Sequence, residues 1–255
     1  MALNPPLTDW HGQRVWIIGA SSGIGRALAE TLGRLGARVA ISARRAAVLD
    51  ELALPDDALR LPFDACSKAG WAAAIGFLHQ RWGGVDVWVH CAADYQPTRA
   101  WQLDADAASR ALDVNLHSVY LGLATIMPVL LANQSGRLVL LASPSGYFGM
   151  PEAINYGPHK AALINLAEIL HVDLAQKGIA VHLVNPGFVA TRLTARNDFA
   201  MPALQTPQQA ADAIVAGLAR GEFETHFPRR FTLWLKLLRL LPFALRRPLL
   251  RRIAR

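Results

Sequence analysis

The sequence predicts a single α/β domain, in which helices cover both faces of a doubly wound parallel sheet, followed by a short basic helical tail. Three observations support this fold class. The chain has 255 residues with 53% apolar content, which suits one large core rather than two domains. Short apolar runs alternate with longer segments of helical period. A glycine-rich turn follows the first run, at the edge where such sheets bind ligands.

Five runs of β-branched and apolar residues predict the strands. Their near-continuous apolar character is typical of parallel strands that are buried on both faces. They lie at 14–18, 38–42, 85–90, 137–142 and 179–184. Segments of helical period fill the gaps, at 23–35, 45–54, 67–82, 104–132, 156–177 and 207–220. Right-handed crossovers between these strands would leave a ligand crevice at their carboxyl ends.

The helical segment 156–177 is apolar around most of its circumference, so it would bury more than one face. One face can cover the sheet. The other predicts a partner helix, either from a second subunit, which would make the protein a homodimer or homotetramer, or from a long neighbouring helix of the same chain.

The glycine-rich segment GASSGIG, at 19–25, follows the first predicted strand and opens a helix. Gly19 allows the tight turn, Gly23 allows backbone to approach a pyrophosphate, and Gly25 allows the helix to pack against the strand. The helix N-terminus can then meet phosphate oxygens. In this context the motif predicts nucleotide binding in a Rossmann-like fold.

A tyrosine precedes a lysine by four residues in YGPHK, at 156–160, although the chain holds only four residues of each type. A helix that begins near Asn155 would carry Pro158 in its first turn, where no backbone donor is required. Tyr156 and Lys160 would then project from one face of that helix, one turn apart. This pairing predicts a chemical role.

These motifs together resemble the short-chain dehydrogenase/reductase family, from about residue 12 to about residue 220. The GxxxGxG spacing and the Tyr-x3-Lys pair carry the resemblance. Four further matches follow in the family's order: Asp64 in LPFDA, DVNLHS at 113–118, Ser143 thirteen residues before Tyr156, and NPGFVAT at 185–191. The resemblance implies hydride transfer between a nicotinamide cofactor and a carbonyl or secondary alcohol.

The resemblance assigns catalytic roles to Asn115, Ser143, Tyr156 and Lys160. Tyr156 would give or take the proton, Ser143 would hydrogen-bond the substrate oxygen, and Lys160 would hold the nicotinamide ribose. Asn115 would order a water relay to Lys160. An unperturbed tyrosine has a pKa near ~10, so acid–base work near neutrality requires stabilising the phenolate by roughly 4 kcal/mol. A neighbouring ammonium and an oxidised nicotinamide would supply this stabilisation.

The resemblance also predicts which residues bind the cofactor. They are Gly19, Ser21, Ser22, Gly23, Ile24, Gly25, Arg44, Asp64, Ala92, Tyr156, Lys160, Pro186, Gly187, Val189 and Thr191. Asp64 would contact the adenine, and Thr191 would hold the nicotinamide amide.

The residues after the second strand predict the choice of cofactor. Ala43 occupies the position where NAD-preferring relatives have an aspartate, and Arg44 follows it. A guanidinium without a competing carboxylate favours a 2′-phosphate, so NADP(H) is the predicted cofactor and NAD(H) the alternative. Arg45 either assists or is a solvated residue of the next helix.

The chain departs from the family pattern at two positions. The family has Asn-Asn-Ala-Gly after the fourth strand, whereas this chain has HCAA at 90–93. Ile18 stands before Gly19 in place of the common threonine. We expect an altered turn near the cofactor and an unchanged glycine geometry.

Two segments, 144–153 and 188–204, correspond to the loops that line the substrate in the family. Their large apolar residues are Phe148, Met150, Phe188, Leu193 and Phe199. These residues predict a lipophilic ketone or secondary alcohol as the substrate, although scattered apolar loop residues also pack as a lid.

The cysteines and the N-terminal segment indicate the compartment. Cys66 and Cys91 lie in unrelated segments without metal-ligand spacing, which predicts a reducing compartment, two buried small side chains and no metal site. The start, MALNPPLTDWHG, lacks a basic region followed by an apolar run. No stretch of about 20 uncharged apolar residues predicts a spanning helix. We expect a cytoplasmic protein.

The net charge of +7 belongs to the C-terminal tail. Residues 1–228 carry 17 Lys and Arg against 19 Asp and Glu, a net charge of −2, whereas residues 229–255 carry nine against none. A near-neutral body argues against nucleic acid as a partner. The predicted organisation is therefore an oxidoreductase domain at 1–228 and a basic amphipathic tail at 229–255.

Within the tail, polar residues recur every three or four positions over 229–241. They are Arg229, Thr232, Lys236 and Arg239. This pattern is typical of an interfacial helix that is too short to span a bilayer. Two alternatives remain, contact with a membrane surface and packing on the protein's own domain or on a sister subunit.

Three functional hypotheses follow. The leading one is an NADP(H)-dependent carbonyl reductase or alcohol dehydrogenase that acts on an apolar substrate, in the cytoplasm or peripherally at a membrane. A second is a family member that reduces carrier-bound 3-oxoacyl groups and uses the basic tail to meet an acidic carrier protein. A third is a nucleotide-sensing or scaffold protein without turnover, which would not need the four catalytic residues.

Overall fold

Seven parallel strands form one sheet at the centre of the protein. In the computed structural model, which describes residues 2–253, the strands are β1 (Arg14–Ile18), β2 (Arg38–Ser42), β3 (Leu59–Arg60), β4 (Val87–His90), β5 (Gly136–Leu141), β6 (Ile179–Pro186) and β7 (Glu224–Phe227). Their order in the sheet is β3-β2-β1-β4-β5-β6-β7. The five predicted strands are confirmed to within two residues at each end. The sequence did not predict β3, which is very short, or β7, which lacks an apolar run.

Helices connect the strands and cover the sheet. They are α1 (Gly23–Arg34), α2 (Ala46–Asp50), α3 (Lys68–Trp82), α4 (Ala105–Leu112), α5 (Ser118–Asn133), α6 (Gly157–Leu174), α7 (Pro207–Ala219), α8 (Arg229–Leu240) and α9 (Phe243–Ile253). All six predicted helical segments contain a helix, but 45–54 is helical only over α2. A π-helical turn, Asp113–His117, divides the predicted helix 104–132. Residues 254–255 of the predicted tail lie outside the described residues.

Alternate strand positions enter two separate hydrophobic cores, because successive side chains of a strand point to opposite faces. Val15 and Ile17 of β1 pack beneath α1 and α7. Trp16 and Ile18 pack beneath α3, α5 and α6. Helices therefore cover both faces of the sheet, and the predicted doubly wound architecture is confirmed.

One helix in the described part of the chain, Ala105–Asn133, is long and apolar enough to cross a membrane by length and composition, with a mean hydropathy of 1.6 over an 18-residue window. This corrects the expectation that no segment would pass such a test. Gly122, Ile126 and Leu130 of α5 are buried against the sheet. Packing in the core therefore accounts for part of this composition, since 39% of the apolar window is buried.

The C-terminal helix α8 packs on the domain directly after β7. Thr232, Leu235 and Leu238 form its inward face. The Thr232 hydroxyl lies 2.6 Å from His226 Nδ1 and donates to the Pro228 carbonyl at 3.0 Å. Thr232 therefore belongs to the buried face and not to a solvated polar stripe.

Candidate active site

An open cavity of about 1110 Å³ lies at the carboxyl ends of the central strands. β1 pairs with β2 on one side and with β4 on the other, so the chain reverses its direction of winding at this point and leaves a crevice. All fifteen predicted cofactor-binding residues line the cavity. Ser143, Tyr156 and Lys160 line it as well. The fold thus brings together segments as distant in sequence as Gly19 and Thr191.

The glycine-rich turn lies against its neighbours so closely that side chains would not fit. Gly19 and Gly23 have φ angles of +86° and +59°, which residues with a Cβ rarely adopt. A Cβ on Gly19 would lie 2.5 Å from the Ala92 nitrogen, and one on Gly23 would lie 2.9 Å from Thr191 Cγ2. A Cβ on Gly25 would lie 2.5 Å from the Gly19 oxygen, because α1 packs against the turn.

The start of α1 also fits a pyrophosphate. Its N-cap residue, Ser22, makes no side-chain capping hydrogen bond, which leaves the first N–H groups of the helix for a ligand. The bare glycine backbone lets that ligand approach. These residues therefore fit a dinucleotide cofactor.

The rim of the cavity that follows β2 is basic. Arg44 and Arg45 are exposed there, beside the half-buried Ala43. On the opposite side, Asp64 Oδ1 accepts a hydrogen bond from the Cys66 nitrogen at 3.0 Å, which orders that loop. The rim thus offers guanidinium groups where a carboxylate would repel a phosphate.

Tyr156 and Lys160 meet at the other end of the cavity. Tyr156 is the N-cap residue of α6, and Pro158 lies in the first turn as predicted. Lys160 Nζ lies 5.4 Å from the centroid of the Tyr156 ring. Lys160 is 2% exposed and donates a hydrogen bond to the Leu141 carbonyl at 2.8 Å. Burial lowers the pKa of Lys160 to about 8.

The environment of the Tyr156 phenol differs from the expected one. Burial raises the pKa of Tyr156 above its ordinary value, and a hydrogen bond with Ser143 offsets this only in part. The reason is that a low-dielectric environment disfavours the phenolate, while the Lys160 ammonium bonds to Leu141. At neutral pH the phenol therefore keeps its proton, which is the form that can donate to a carbonyl oxygen.

Two serines follow β5 at the cavity wall. Ser143 Oγ accepts a hydrogen bond from the Ser145 nitrogen at 3.2 Å and lies 3.3 Å from Ser145 Oγ. Both residues line the cavity. Because the Ser143 hydroxyl also interacts with the Tyr156 phenol, Ser143 is the serine that faces Tyr156 and Lys160.

The fourth predicted catalytic residue, Asn115, is not among the residues that line the cavity. It lies in the π-helical turn and is completely buried. Its Oδ1 accepts from the Asp94 nitrogen at 2.9 Å, and its Nδ2 donates to the Asp94 carbonyl at 2.7 Å. The Asn115 side chain therefore fixes the loop after β4, and the predicted water relay gains no support from it.

The HCAA segment supplies neutral groups beneath the cavity. His90 Nε2 lies 3.0 Å from Ser118 Oγ, which donates its own proton to the Val114 carbonyl at 2.7 Å. Burial lowers the pKa of His90 to about 3, and the Lys160 charge acts in the same direction. Burial raises the pKa of the Cys91 thiol to about 12.

Both cysteines differ from the expectation that they are fully buried. Cys66 and Cys91 are free, half-buried residues, and both line the cavity. Their segments end at the carboxyl edge of the sheet, which is why they reach the ligand crevice. Burial raises the pKa of Cys66 to about 11.

A contact that the sequence analysis missed closes the cavity over Tyr156. The Tyr95 ring packs edge-on against the Tyr156 ring, with centroids 5.0 Å apart. Tyr95 donates a hydrogen bond to Asn197 Oδ1 at 2.8 Å, and Arg196 donates to the Tyr95 carbonyl at 2.6 Å. The position of Tyr95 just after β4 was the available signal, because ligands bind at strand carboxyl ends.

Aromatic and aliphatic side chains line the side of the cavity away from Arg44. Four of the five predicted apolar residues contribute, namely Met150, Phe188, Leu193 and Phe199. Phe148 does not, because it packs under Arg246 of α9, whose Cζ lies 4.7 Å from its ring centroid. Phe231 and Leu235 of α8 complete the wall, so the predicted tail contributes to the cavity.

Comparisons with known proteins identify the family of this chain. The short chain dehydrogenase family model matches residues 13–200. An uncharacterized oxidoreductase of Myxococcus xanthus (strain DK1622) is 32% identical over 233 residues, which cover 89% of this chain and 91% of that protein.

Two solved structures have the same fold. A short-chain dehydrogenase from Streptomyces avermitilis matches with a TM-score of 0.80 at 25% identity, covering 88% of this chain and 92% of that one. A 3-ketoacyl-(acyl-carrier-protein) reductase from Brucella melitensis, complexed with NADH, matches with a TM-score of 0.78 at 24% identity, covering 86% and 99%. The family match and the shared fold together establish that this chain belongs to the short chain dehydrogenase family.

Proposed function

We propose that this oxidoreductase transfers a hydride between NADP(H) and the carbonyl or secondary alcohol of an apolar substrate. The observation that carries the proposal is one cavity that joins a glycine cradle to the Ser143, Tyr156 and Lys160 set. The non-catalytic alternative does not explain why these three side chains converge.

The proposed mechanism assigns one task to each residue. A bound nicotinamide supplies the hydride that adds to the carbonyl carbon. Ser143 donates a hydrogen bond to the carbonyl oxygen and holds it beside the phenol. Tyr156 gives its proton to that oxygen, which completes the alcohol. The Lys160 ammonium, 5.4 Å from the ring centroid, stabilises the phenolate that remains.

The preference for NADP(H) is supported by the rim of the cavity. Arg44 and Ala43 both line the cavity. The Arg44 guanidinium can bind a 2′-phosphate, and Ala43 leaves that phosphate without a repelling carboxylate. We therefore expect Arg44→Ala to weaken NADPH binding by about 1.5 to 3 kcal/mol, the range for hydrogen bonds to charged groups, and to leave NADH binding nearly unchanged. Titration of both nucleotides with Arg45→Ala as the matched control would separate the two arginines. Equal losses for NADPH and NADH would show that Arg44 does not contact the phosphate.

The apolar substrate class is supported by the cavity wall opposite Arg44. Phe188, Phe199 and Phe231 form an aromatic group there, with ring centroids 5.7 Å and 5.8 Å from Phe188. A sugar or phosphate ester would leave its polar groups without partners against these rings. A lipophilic ketone or alcohol would not.

The setting and assembly of the enzyme are also proposals. We infer that it works in the cytoplasm, because Cys66 and Cys91 are free. We also infer a homodimer or homotetramer, because α6 exposes Ile169 and Val172 on the face opposite the sheet. Size-exclusion chromatography with light scattering tests this assembly, and a monomer at micromolar concentration would contradict it.

NADPH consumption against a panel of aldehydes, ketones and 3-oxoacyl thioesters tests the function. We expect turnover with long apolar ketones and its loss in Tyr156→Phe. Turnover confined to carrier-bound thioesters would favour the 3-oxoacyl reductase alternative. Nucleotide binding without turnover on any carbonyl would favour the non-catalytic one.

A further inference from the structure

The outward face of α8 is apolar although the inward face already packs on the domain. Its exposed side chains follow helical spacing at i, i+1, i+4, i+7 and i+8, and they are Leu233, Trp234, Leu237, Leu240 and Leu241. Leu237 is 64% exposed and Leu240 is 79% exposed. Phe243 and Leu245 continue this apolar patch onto α9. Contiguous exposed apolar surface of this kind marks an interaction site.

Positive charge surrounds the apolar patch, and residues 229–255 contain no acidic side chain. Arg229 and Lys236 already pair with Glu222 and Glu224, each at 2.6 Å. Among the residues of the two helices whose burial the structure describes, the other exposed cations are Arg230, Arg239, Arg247 and Arg251. A Trp- and Leu-rich face bordered by arginines is typical of helices that lie in a membrane interface.

A second copy of the chain fits this face poorly. A two-fold contact through the apolar patch would place one set of arginines against the other, and like charges in an interface are unfavourable. An acidic soluble protein would match the arginines but would also have to cover Trp234, Leu237 and Leu240. An anionic bilayer satisfies the charge and the apolar side chains together.

Only the helix α8 separates the apolar patch from the apolar wall of the cavity. Phe231 and Leu235 line the cavity from the inward face of α8, so the cavity and the apolar patch lie on opposite faces of one helix, about 10 Å across. On α9, Arg246 stacks on Phe148 of the loop that follows Ser143. Helix α8 therefore joins the exposed face to the wall of the site, and α9 packs on the loop that contributes Met150 to that wall.

We propose that the apolar patch and its arginines bind the surface of an anionic lipid bilayer, and that the cavity takes its apolar substrate from that bilayer. The second part rests on the proposed function, whereas the first does not.

Co-sedimentation of the full chain with vesicles tests the first part. We expect binding to vesicles of phosphatidylcholine with 30% phosphatidylglycerol, and weaker binding at 0.5 M salt, because salt screens the attraction. Leu237→Gln with Leu240→Gln should lower the partition coefficient by at least ~10-fold. Arg230→Gln, Arg247→Gln and Arg251→Gln together should lower it by about 100-fold.

Matched controls carry the same chemical changes elsewhere on the surface. Leu131→Gln, at an exposed position of α5, and Arg81→Gln, at an exposed position of α3, should bind vesicles like the wild type. Circular dichroism would show that all variants are folded. Binding that is equal in wild type and patch variants would overturn the proposal. So would a wild type that ignores vesicles and instead self-associates through the apolar patch, or binds an acidic acyl carrier protein.

Substrate delivery is tested with two ketones. The Leu237→Gln, Leu240→Gln variant should reduce the water-soluble 2-octanone at the wild-type rate but reduce vesicle-dissolved 2-hexadecanone at least ~10-fold more slowly. Equal rates on vesicle-dissolved ketone would overturn the delivery step. If neither protein turns over any ketone, the proposed function and the delivery step that rests on it both fail, while the vesicle result still decides the binding step.

Discussion

Two tyrosine–lysine pairs of similar geometry lie in this protein, and their surroundings differ. Lys160 Nζ lies 5.4 Å from the centroid of the Tyr156 ring, and Lys236 Nζ lies 5.8 Å from that of Tyr147. The first pair faces the cavity. The second joins α8 to the loop that follows Ser143, outside the cavity lining.

A carboxylate makes the difference between the pairs. Glu224 accepts hydrogen bonds from Lys236 at 2.6 Å, from the Tyr147 hydroxyl at 2.6 Å and from Asn185 Nδ2 at 2.8 Å. Among the described residues, no carboxylate lies within ion-pairing distance of Lys160; its hydrogen bond goes to a backbone carbonyl.

The pKa shifts follow from this arrangement. Burial raises the pKa of Tyr147, and its hydrogen bond to the charged Glu224 raises it further. The Tyr147 phenol therefore stays protonated and donates its proton to the hydrogen bond with Glu224. Burial alone would raise the pKa of Glu224, but its three hydrogen bonds hold it below the ordinary value. A lysine can therefore stabilise a neighbouring phenolate only where no carboxylate neutralises it. The second pair therefore holds α8 against the domain.

The largest effect expected from this comparison is on turnover. Tyr156→Phe removes the proton donor, so we expect kcat to fall by at least about 10²-fold while NADPH binding persists. Tyr147→Phe is the matched control, and its kcat should stay within about 3-fold of wild type, because its phenol lies outside the cavity. Steady-state kinetics with a ketone substrate measures both. Comparable losses of kcat in the two variants would mean that the Tyr156 pair has no more effect on turnover than the Tyr147 pair.

The next effect is on stability. Glu224→Gln leaves Lys236 without its counter-ion and removes a charged acceptor from Tyr147 and Asn185, so the free energy of unfolding should fall by about 2 to 3 kcal/mol at pH 7. The free energy of unfolding of the wild type should also depend on the ionisation of Glu224 at acidic pH. Because the folded pKa of Glu224 is depressed, its contribution is present above the unfolded value near ~4.3 and is lost as pH falls through the folded value.

Urea denaturation measures the Glu224 effect. Asp50→Asn is the matched control, since Asp50 is well exposed and its oxygen lies 3.8 Å from Arg60, and we expect a loss below about 0.5 kcal/mol. Equal losses of unfolding free energy in the two variants would show that the hydrogen bonds of Glu224 do not hold α8 against the domain.

A somewhat smaller effect concerns His90, which is buried near the uncompensated Lys160. The folded pKa of His90 is about 3, against an unfolded value near ~6.5. Between pH 7 and pH 5 the unfolded chain therefore gains a proton that the folded chain does not, which costs about 2 kcal/mol of stability.

His90→Asn introduces the residue that the family pattern has at this position and should remove that part of the pH dependence. Urea denaturation at pH 5 and pH 7 measures the difference between wild type and variant. Burial also lowers the pKa of His182, to about 4, so a residual dependence of similar size should remain. Wild-type and variant stabilities that change in parallel with pH would contradict the buried neutral His90.

The smallest effect concerns the contact that covers the first pair. Tyr95→Phe keeps the ring against Tyr156 but removes the hydrogen bond to Asn197, worth about 1 kcal/mol. We expect KM to rise about 5-fold and kcat to change less, because the loop closes over substrate less often. Tyr120→Phe, at an exposed position of α5, is the control. A fall in kcat with unchanged KM would instead assign Tyr95 to the chemical step.

The parts of the site that the sequence predicted well are local in the chain. The seven residues of GASSGIG directly follow β1 and contain the turn and the start of α1, so the glycine spacing already contains the geometry. The roles that the structure leaves without support depend on other elements. Asn115 matches a catalytic motif, yet its side chain is held by the backbone of Asp94, 21 residues earlier.

In the tail, too, the contacts of side chains depend on other elements. The period of its polar residues predicted a helix, and α8 is a helix, but periodicity does not say which face meets protein. Thr232 is buried and hydrogen-bonded to His226, while Leu237 and Leu240 are exposed. β7 was missed for a related reason, since Glu224 and His226 are half-buried strand residues whose partners lie in α8.

The sequence by itself determined the Tyr156–Lys160 pair, because helical geometry brings residues four apart to one face whatever surrounds them. Only the tertiary structure decided the Tyr147–Glu224–Lys236 group, whose tyrosine and glutamate are 77 residues apart and whose lysine comes from the next helix. Side-chain partners at such separations depend on how helices and strands pack. Packing therefore also decided which lysine keeps an uncompensated charge.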